Sequence, residues 1–263
     1  MHYFTSPICG WYDHNWWWPK WLSRTQEFSQ SVVWDGRSST SQNVLGFKIT
    51  HFIYGLYITQ VKYASKLLSW AGLTNSKIVN TLVKFNAHLT PSKGKPLSNL
   101  SLYKRLIDSL VYLTVTHPNI SYVVHQVSQY LFAPWSTHYD VVLRILRYLK
   151  GTLFHGLFYF AQSPLIFLTF SNTDWAGDPT NCKSTTDYCF LLGSSLISWW
   201  SKKQTHVARS NTEAEYHALT DTTSELPLAT MTSQRLRCVH ILCYASLLWQ
   251  LEYHSYCSQW CLP

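Results

Sequence analysis

The chain has 263 residues, 46% of them apolar and 13% charged, enough for two domains with real cores and too apolar for disorder along its whole length. Its 21 basic against 13 acidic residues give a net charge of +8, which suits a polyanionic partner and equally a basic protein without one. No run approaches the roughly 18–20 apolar residues of a membrane helix, and the first residues lack the basic-then-apolar order of a signal peptide, so neither a membrane nor a secreted protein is expected.

Seven irregularly spaced cysteines read as reduced thiols, because neither Cys238 with Cys243 nor Cys257 with Cys261 has the second pair that a zinc knuckle needs. Both ends of the chain lack a period. Trp11, Trp16, Trp17, Trp18, Trp21 and Trp34 crowd the first 34 residues, and the stretch after Ala229 holds four cysteines, two tryptophans and no glycine.

Between the ends the pattern is orderly. Alternation over 44–50 and 56–60 predicts a hairpin around a 51–55 connection. Val61, Ala64, Leu67, Leu68 and Ala71 then recur at three and four, which predicts a helix over 60–71 stopped by Gly72. Residues 90–99, with two prolines and a glycine, read as a linker. Leu102, Leu106, Leu110 and Leu113 form the stripe of a helix over 102–116, and Pro118 suits the first turn of another over 120–131. A third helix, 138–149, sets Val142, Ile145, Leu146 and Leu149 on one face and Arg144, Arg147 and Lys150 on another. That basic edge fits a solvated face or a nucleic-acid contact.

From Leu157 the period moves toward two. Strands are expected over 165–171, 185–192 and 195–201, then a helix over 210–226 with Asn211 as cap and Glu213 in the first turn. The result is an α+β chain. Asp174 at a strand end, with Glu213 and Glu215 on the helix, could hold a divalent metal through hard carboxylate oxygens, or could simply be solvated.

Two long stretches carry a specific resemblance. "YKRLIDSLVYLTVTHPNISYVVHQVSQYLFAPWSTHYDVVLRILRYLKGTL" is similar to the segment after the polymerase palm in the Pol polyprotein of copia-type LTR retrotransposons. "FSNTDWAGDPTNCKSTTDYCFLLGSSLISWWSKKQTHVARSNTEAEYHAL" resembles the start of the ribonuclease H domain of the same polyprotein, and "LGFKITHFIYGLYITQVKYASKLLSWAGL" also fits upstream, in the same order. The resemblance runs over residues 45–226. It implies a hairpin and helix remnant of the polymerase (44–98), a helical thumb- or connection-like segment (99–156), and a truncated ribonuclease H-like mixed sheet with one helix (157–226).

The family's polymerase uses a Tyr-Val-Asp-Asp motif to hold two metals, and no such pair is present. A one-nucleotide forward shift across residues 8–18 permits Tyr-Val-Asp-Gly-Met-Ile-Ile-Thr-Gly-Gly, its glycines forced by Trp11, Trp16 and Trp17. The same shift across 246–259 permits Leu-Tyr-Cys-Gly-Asn-x-Ser, close to a later ribonuclease H stretch, with the glycine forced by Trp249. Residues 1–43 and 227–263 are therefore read as out-of-frame ends, a hypothesis that codons unable to spell these motifs would sink.

The resemblance also implies a nuclease site in which a cluster of acids binds two Mg²⁺ and directs water at the RNA strand of an RNA–DNA hybrid. Its first acid, in Ser-Asp-Ala-Asp-Trp, aligns with Asn172 in Ser171-Asn172-Thr173-Asp174-Trp175, and its helix acid with Glu215. Asp174 is a weak substitute, because positions two apart on a strand lie about 7 Å apart. Glu215 is then the surviving catalytic acid and metal ligand. Lys202, Lys203 and Arg209 stand where the family has a basic stretch before the helix, and with Arg144, Arg147 and Lys150 they are the candidate nucleic-acid contacts. His206 and His217 are assigned no role. The two functions to be distinguished are a polymerase–nuclease fragment whose activity has lapsed and a nucleic-acid-binding protein without catalysis.

Overall fold

A computed structural model describes residues 38–82, 89–90, 94–164 and 166–231. The two motifs permitted by a frame shift, within 8–18 and 246–259, lie outside the described residues.

The first sheet is an antiparallel meander of β1 (Ser38–Val44), β2 (Phe47–Phe52) and β3 (Gly55–Thr59), joined at its far edge by β4 (Leu157–Phe160). The predicted hairpin is present, but its turn is the pair Ile53 and Tyr54, and Val44 ends a preceding strand. Leu45 and Gly46 make that earlier two-residue turn, both at positive φ (50° and 83°), the backbone such hairpin loops require. Because Leu45 replaces the usual Asn or Asp, the apolar alternation runs through the turn and conceals it. Gly55 (φ 154°) sits where a Cβ would collide with the Tyr159 carbonyl oxygen, so glycine is what lets β3 close against β4.

Four helices follow: α1 (Val61–Trp70), α2 (Leu100–Leu113), α3 (Ser121–Ser128) and α4 (Ser136–Gly151). A short 3-10 turn, Pro118–Ile120, precedes α3, so the predicted 120–131 helix is shorter than its apolar pattern. Asn99 caps α2 by accepting from the Leu102 amide at 3.0 Å. The predicted stripes meet in one core, where Leu106, Ile107, Leu110 and Leu113 of α2 pack with Val124 and Val127 of α3 and Val142, Ile145, Leu146 and Leu149 of α4. Each such side chain contributes roughly 1.5–3 kcal/mol relative to exposure. The helical segment is thus a long excursion between β3 and β4, which pair in register from Gly55↔Phe160 to Ile58↔Leu157.

The second sheet, β5 (Phe167–Thr173), β6 (Thr185–Leu192) and β7 (Ser195–Lys203), carries α5 (Asn211–Met231) on one face. Phe167, Tyr188 and Phe190 line that face, and Ala214, Ala218 and Thr222, one turn apart, are the buried stripe of the helix. Cys189, Leu191 and Leu196 line the other face against Leu157. The chain is α+β with two antiparallel sheets and five α-helices among the described residues. The expected mixed sheet is not what these strands form, since every described pairing is antiparallel. The cap of α5 also differs: the Ser210 hydroxyl, not Asn211, accepts from the Glu213 amide at 3.1 Å.

No described helix is long and apolar enough to cross a membrane. Cys182 and Cys189 are free thiols, and the other five cysteines lie outside the described residues.

Candidate functional site

Period-two alternation on β5 decides where the aligned acids go. Asn172 shares its face with Leu168 and Phe170, which pack on the side of the sheet away from α5. In the β5–β6 ladder Asn172 stands opposite Asp187, and Asp187 stands opposite Ser201 on β7. Asp174 follows β5 on the same face. The structure therefore gathers Asn172, Asp174 and Asp187 at one corner of the sheet, under α3.

Two of these carboxyls share a poorly solvated space. The Tyr122 hydroxyl of α3 donates to Asp174 Oδ2 at 2.9 Å, and the Thr185 amide donates to Oδ1. Burial pushes the Asp174 carboxyl up to about 7, against the opposing pull of these donors. Burial likewise pushes Asp187 up to about 7, with the neighbouring Asp174 charge adding to it. Ser201 lies near the Asp187 carboxyl without a hydrogen bond of ordinary geometry, and it offsets only part of that rise. Tyr122 is driven above its ordinary range by burial and by both acids. Gly177 lies where a Cβ would strike the Asp174 carboxylate, so the following loop closes over the corner.

Glu215 lies elsewhere. It belongs to α5, which covers the opposite face: Gln204 Nε2 reaches Thr173 Oγ1 (3.4 Å), Thr186 Oγ1 (3.0 Å) and the Ala214 carbonyl (2.9 Å), marking that face at the same end of the sheet. Glu215 is buried and accepts from Asn211 Nδ2 at 2.8 Å. Glu213 accepts from the Arg209 amide at 2.7 Å and faces His217 at 3.9 Å, while the His206 ring stacks on His217 at 6.2 Å.

This donor set does not fit two Mg²⁺ ions. Asn172 is neutral, both Asp174 oxygens already accept from the protein, and the Glu215 helix lies across the sheet from them. Among the described residues no group of three or more His, Cys, Asp or Glu side chains is gathered to hold a metal. The sequence reading missed Asp187 and Tyr122. The signal for Asp187 was a carboxylate on the inward face of a strand otherwise lined by Cys189 and Leu191; Tyr122 left no local signal.

The basic candidates divide into two groups. Arg144 donates to the Thr81 carbonyl (3.1 Å) and Thr81 Oγ1 (2.5 Å), and Lys150 donates to the Ser76 carbonyl (2.7 Å), so both hold the connection after α1. Lys203 pairs with Asp178 and donates to Gln129 Oε1 at 2.9 Å. Burial opposes ionisation of Asp178, but the Lys203 ammonium and Thr180 outweigh it and hold the carboxyl below its usual range. Lys202 and Arg209 are exposed, and Arg147 is half-buried on α4.

Among known proteins, the chain is 38% identical over 193 residues to an uncharacterized mitochondrial protein of Arabidopsis thaliana, covering 73% of this chain and 79% of that one. It is 39% identical over 182 residues to the retrovirus-related Pol polyprotein from transposon RE2 of Arabidopsis thaliana, and 35% identical over 195 residues to that from transposon TNT 1-94 of Nicotiana tabacum. These alignments cover 69% and 71% of the chain but only 12% and 15% of the polyproteins. No family model matches the chain, and no solved structure matches it. A retroelement-derived α+β protein is the class so defined. Within it, the chain belongs to the copia-type retrotransposon Pol polyprotein family, of which it is a fragment.

Proposed function

We propose that this chain is a degenerate fragment of the reverse transcriptase and ribonuclease H region of the polyprotein, now without catalysis. The ancestral activities are RNA-directed DNA synthesis and Mg²⁺-dependent cleavage of RNA in RNA–DNA hybrids. On this reading residues 44–98 end the palm region, 99–156 are the thumb- or connection-like segment, and 157–226 are a truncated ribonuclease H-like domain between out-of-frame ends.

The observation that carries the reading is Asn172. A neutral amide stands where the first carboxylate is required, and the aligned helix acid, Glu215, is carried by the helix that packs on the other face of the sheet. Two cations held about 4 Å apart need several negative ligands in common. The test is cleavage of a labelled RNA–DNA hybrid by the purified protein in Mg²⁺ or Mn²⁺, beside an Asn172→Asp variant. Neither protein is expected to cleave. Cleavage by the unmodified chain would mean the acids are misassigned, and rescue by the single change would refute the catalytically silent reading.

A second reading, nucleic-acid binding without catalysis, is favoured by the +8 charge, because phosphate contact requires no carboxylate cluster. Salt-dependent binding without cleavage is its signature.

A further inference from the structure

The face that α1 turns outward is basic and aromatic. Ala64, Leu67 and Leu68 are the buried positions of this helix, while Lys62, Lys66 and Trp70 are exposed at successive steps of four. Such a step advances about 6 Å along the axis, so the three groups form a single stripe. α2 extends it: the Arg105 guanidinium lies 4.3 Å from the centroid of the Trp70 ring. One residue earlier, the Lys104 ammonium lies 5.2 Å from the centroid of Phe132, whose side chain is 87% exposed.

Four cations and two exposed rings thus run from α1 onto α2, each ring with a cation beside it. α1 carries no acid, and Asp108 is the acid on α2. None of these cations is among those that hold the chain's own loops. A ring as exposed as Phe132 contributes little to folding, so its position beside an ammonium is not explained by the core.

We propose that the stripe of Lys62, Lys66, Trp70, Lys104, Arg105 and Phe132 binds single-stranded nucleic acid. The proposal rests on the binding reading and locates it away from Lys202 and Arg209. The lysines and arginine neutralise phosphates, and the rings offer faces on which unpaired bases stack. A duplex hides those base faces and so uses only the cations. An acidic peptide matches the charge but makes no use of the rings.

The test is fluorescence anisotropy of a labelled oligouridylate titrated with the full chain over a series of salt concentrations. The competitors are an unlabelled RNA–DNA duplex and polyglutamate. Each single-strand phosphate contact contributes about −0.7 to the slope of log K against log salt, so a Lys62→Ala, Lys66→Ala double variant is expected to flatten the slope by about 1.4. Phe132→Ala is expected to weaken binding about tenfold with little change of slope, as loss of one stacked base does. Lys202→Ala with Arg209→Ala is expected to leave both quantities unchanged.

All these side chains are exposed, and circular dichroism of each variant checks that the fold persists. If wild type binds but only the Lys202 and Arg209 variant loses affinity, this location is wrong while the binding reading stands. If wild type does not bind at all, both fail. Equal competition by duplex or polyglutamate would overturn the single-strand assignment.

Discussion

Replacing Asp187 by asparagine is expected to stabilise the protein above neutrality and to change little in acid. In the folded state burial pushes Asp174 and Asp187 both up to about 7 from 3.8, and for Asp187 the neighbouring Asp174 charge adds to the rise. A carboxyl with a raised folded pKa favours folding below its unfolded value and loses that contribution as pH climbs through the folded one. Here the window runs from about 3.8 to about 7. A rise of roughly three units corresponds to at most about 4 kcal/mol per group. Solvent reaches part of Asp187, so about 2–3 kcal/mol is the expected gain for Asp187→Asn at pH 8. The assay is urea unfolding followed by circular dichroism from pH 4 to pH 8 for both proteins. Taking the difference cancels every titrating group that Asp187 does not influence, and leaves Asp187 with its coupled neighbour Asp174. Parallel curves, or a variant less stable than wild type at pH 8, would refute the argument.

His117 is expected to act in the opposite sense. Burial holds it neutral, with its pKa lowered from 6.5 to about 4, so its contribution is intact above 6.5 and is lost as pH falls toward 4. The full span is about 3 kcal/mol. His117→Gln should flatten the acid limb of the same urea titration, and an unchanged limb would transfer that role to the nearby His155, which burial also lowers. Gly55→Ala is expected to lower the thermal midpoint by well over 5 °C or to abolish soluble expression, because the added methyl meets the Tyr159 carbonyl across the β3–β4 pair.

The helices were legible because their cores are local in sequence. A stripe such as Leu102, Leu106, Leu110 and Leu113 has the 3.6 period written into it, and α2 forms there, starting two residues early at the Asn99 cap. β6 has the bounds expected of it, and β7 runs two residues further, to Lys203. β1 was not legible: its residues 40–44 are all exposed, with no inward row to alternate against. Nor was the β3–β4 pairing, which joins residues about a hundred apart. The acid corner depends on strand parity and register together. A shift of one residue on β5 would have turned Asn172 toward α5, and no local motif records which way it faces. The roles of Arg144, Lys150 and Lys203 were hidden for the same reason, since their partners Thr81, Ser76, Gln129 and Asp178 lie 25 to 74 residues away.

On the proposed reading, in which catalysis is no longer selected, the same corner says why an amide at position 172 is easy to retain. Asn172 and Asp187 are direct cross-strand neighbours on one face, with Cβ atoms about 5 Å apart, and Asp174 lies beside them. Without metal, an aspartate at 172 would add a third carboxyl to two that already hold their protons to about neutrality. Clusters of like-charged groups kept for function cost stability, so an amide in place of one carboxyl relieves repulsion without opening a cavity. Asn172→Asp is therefore expected to lower the unfolding free energy from urea titration at pH 8 by roughly 1–2 kcal/mol, and to have little effect at pH 4, where carboxyls with raised pKa values are protonated. An Asn172→Asp, Asp187→Asn double variant should recover most of the loss, because coupled neighbours are not additive. If the single change proves neutral at pH 8, Asn172 does not face Asp187 closely enough to matter, and the assignment of that corner fails with it.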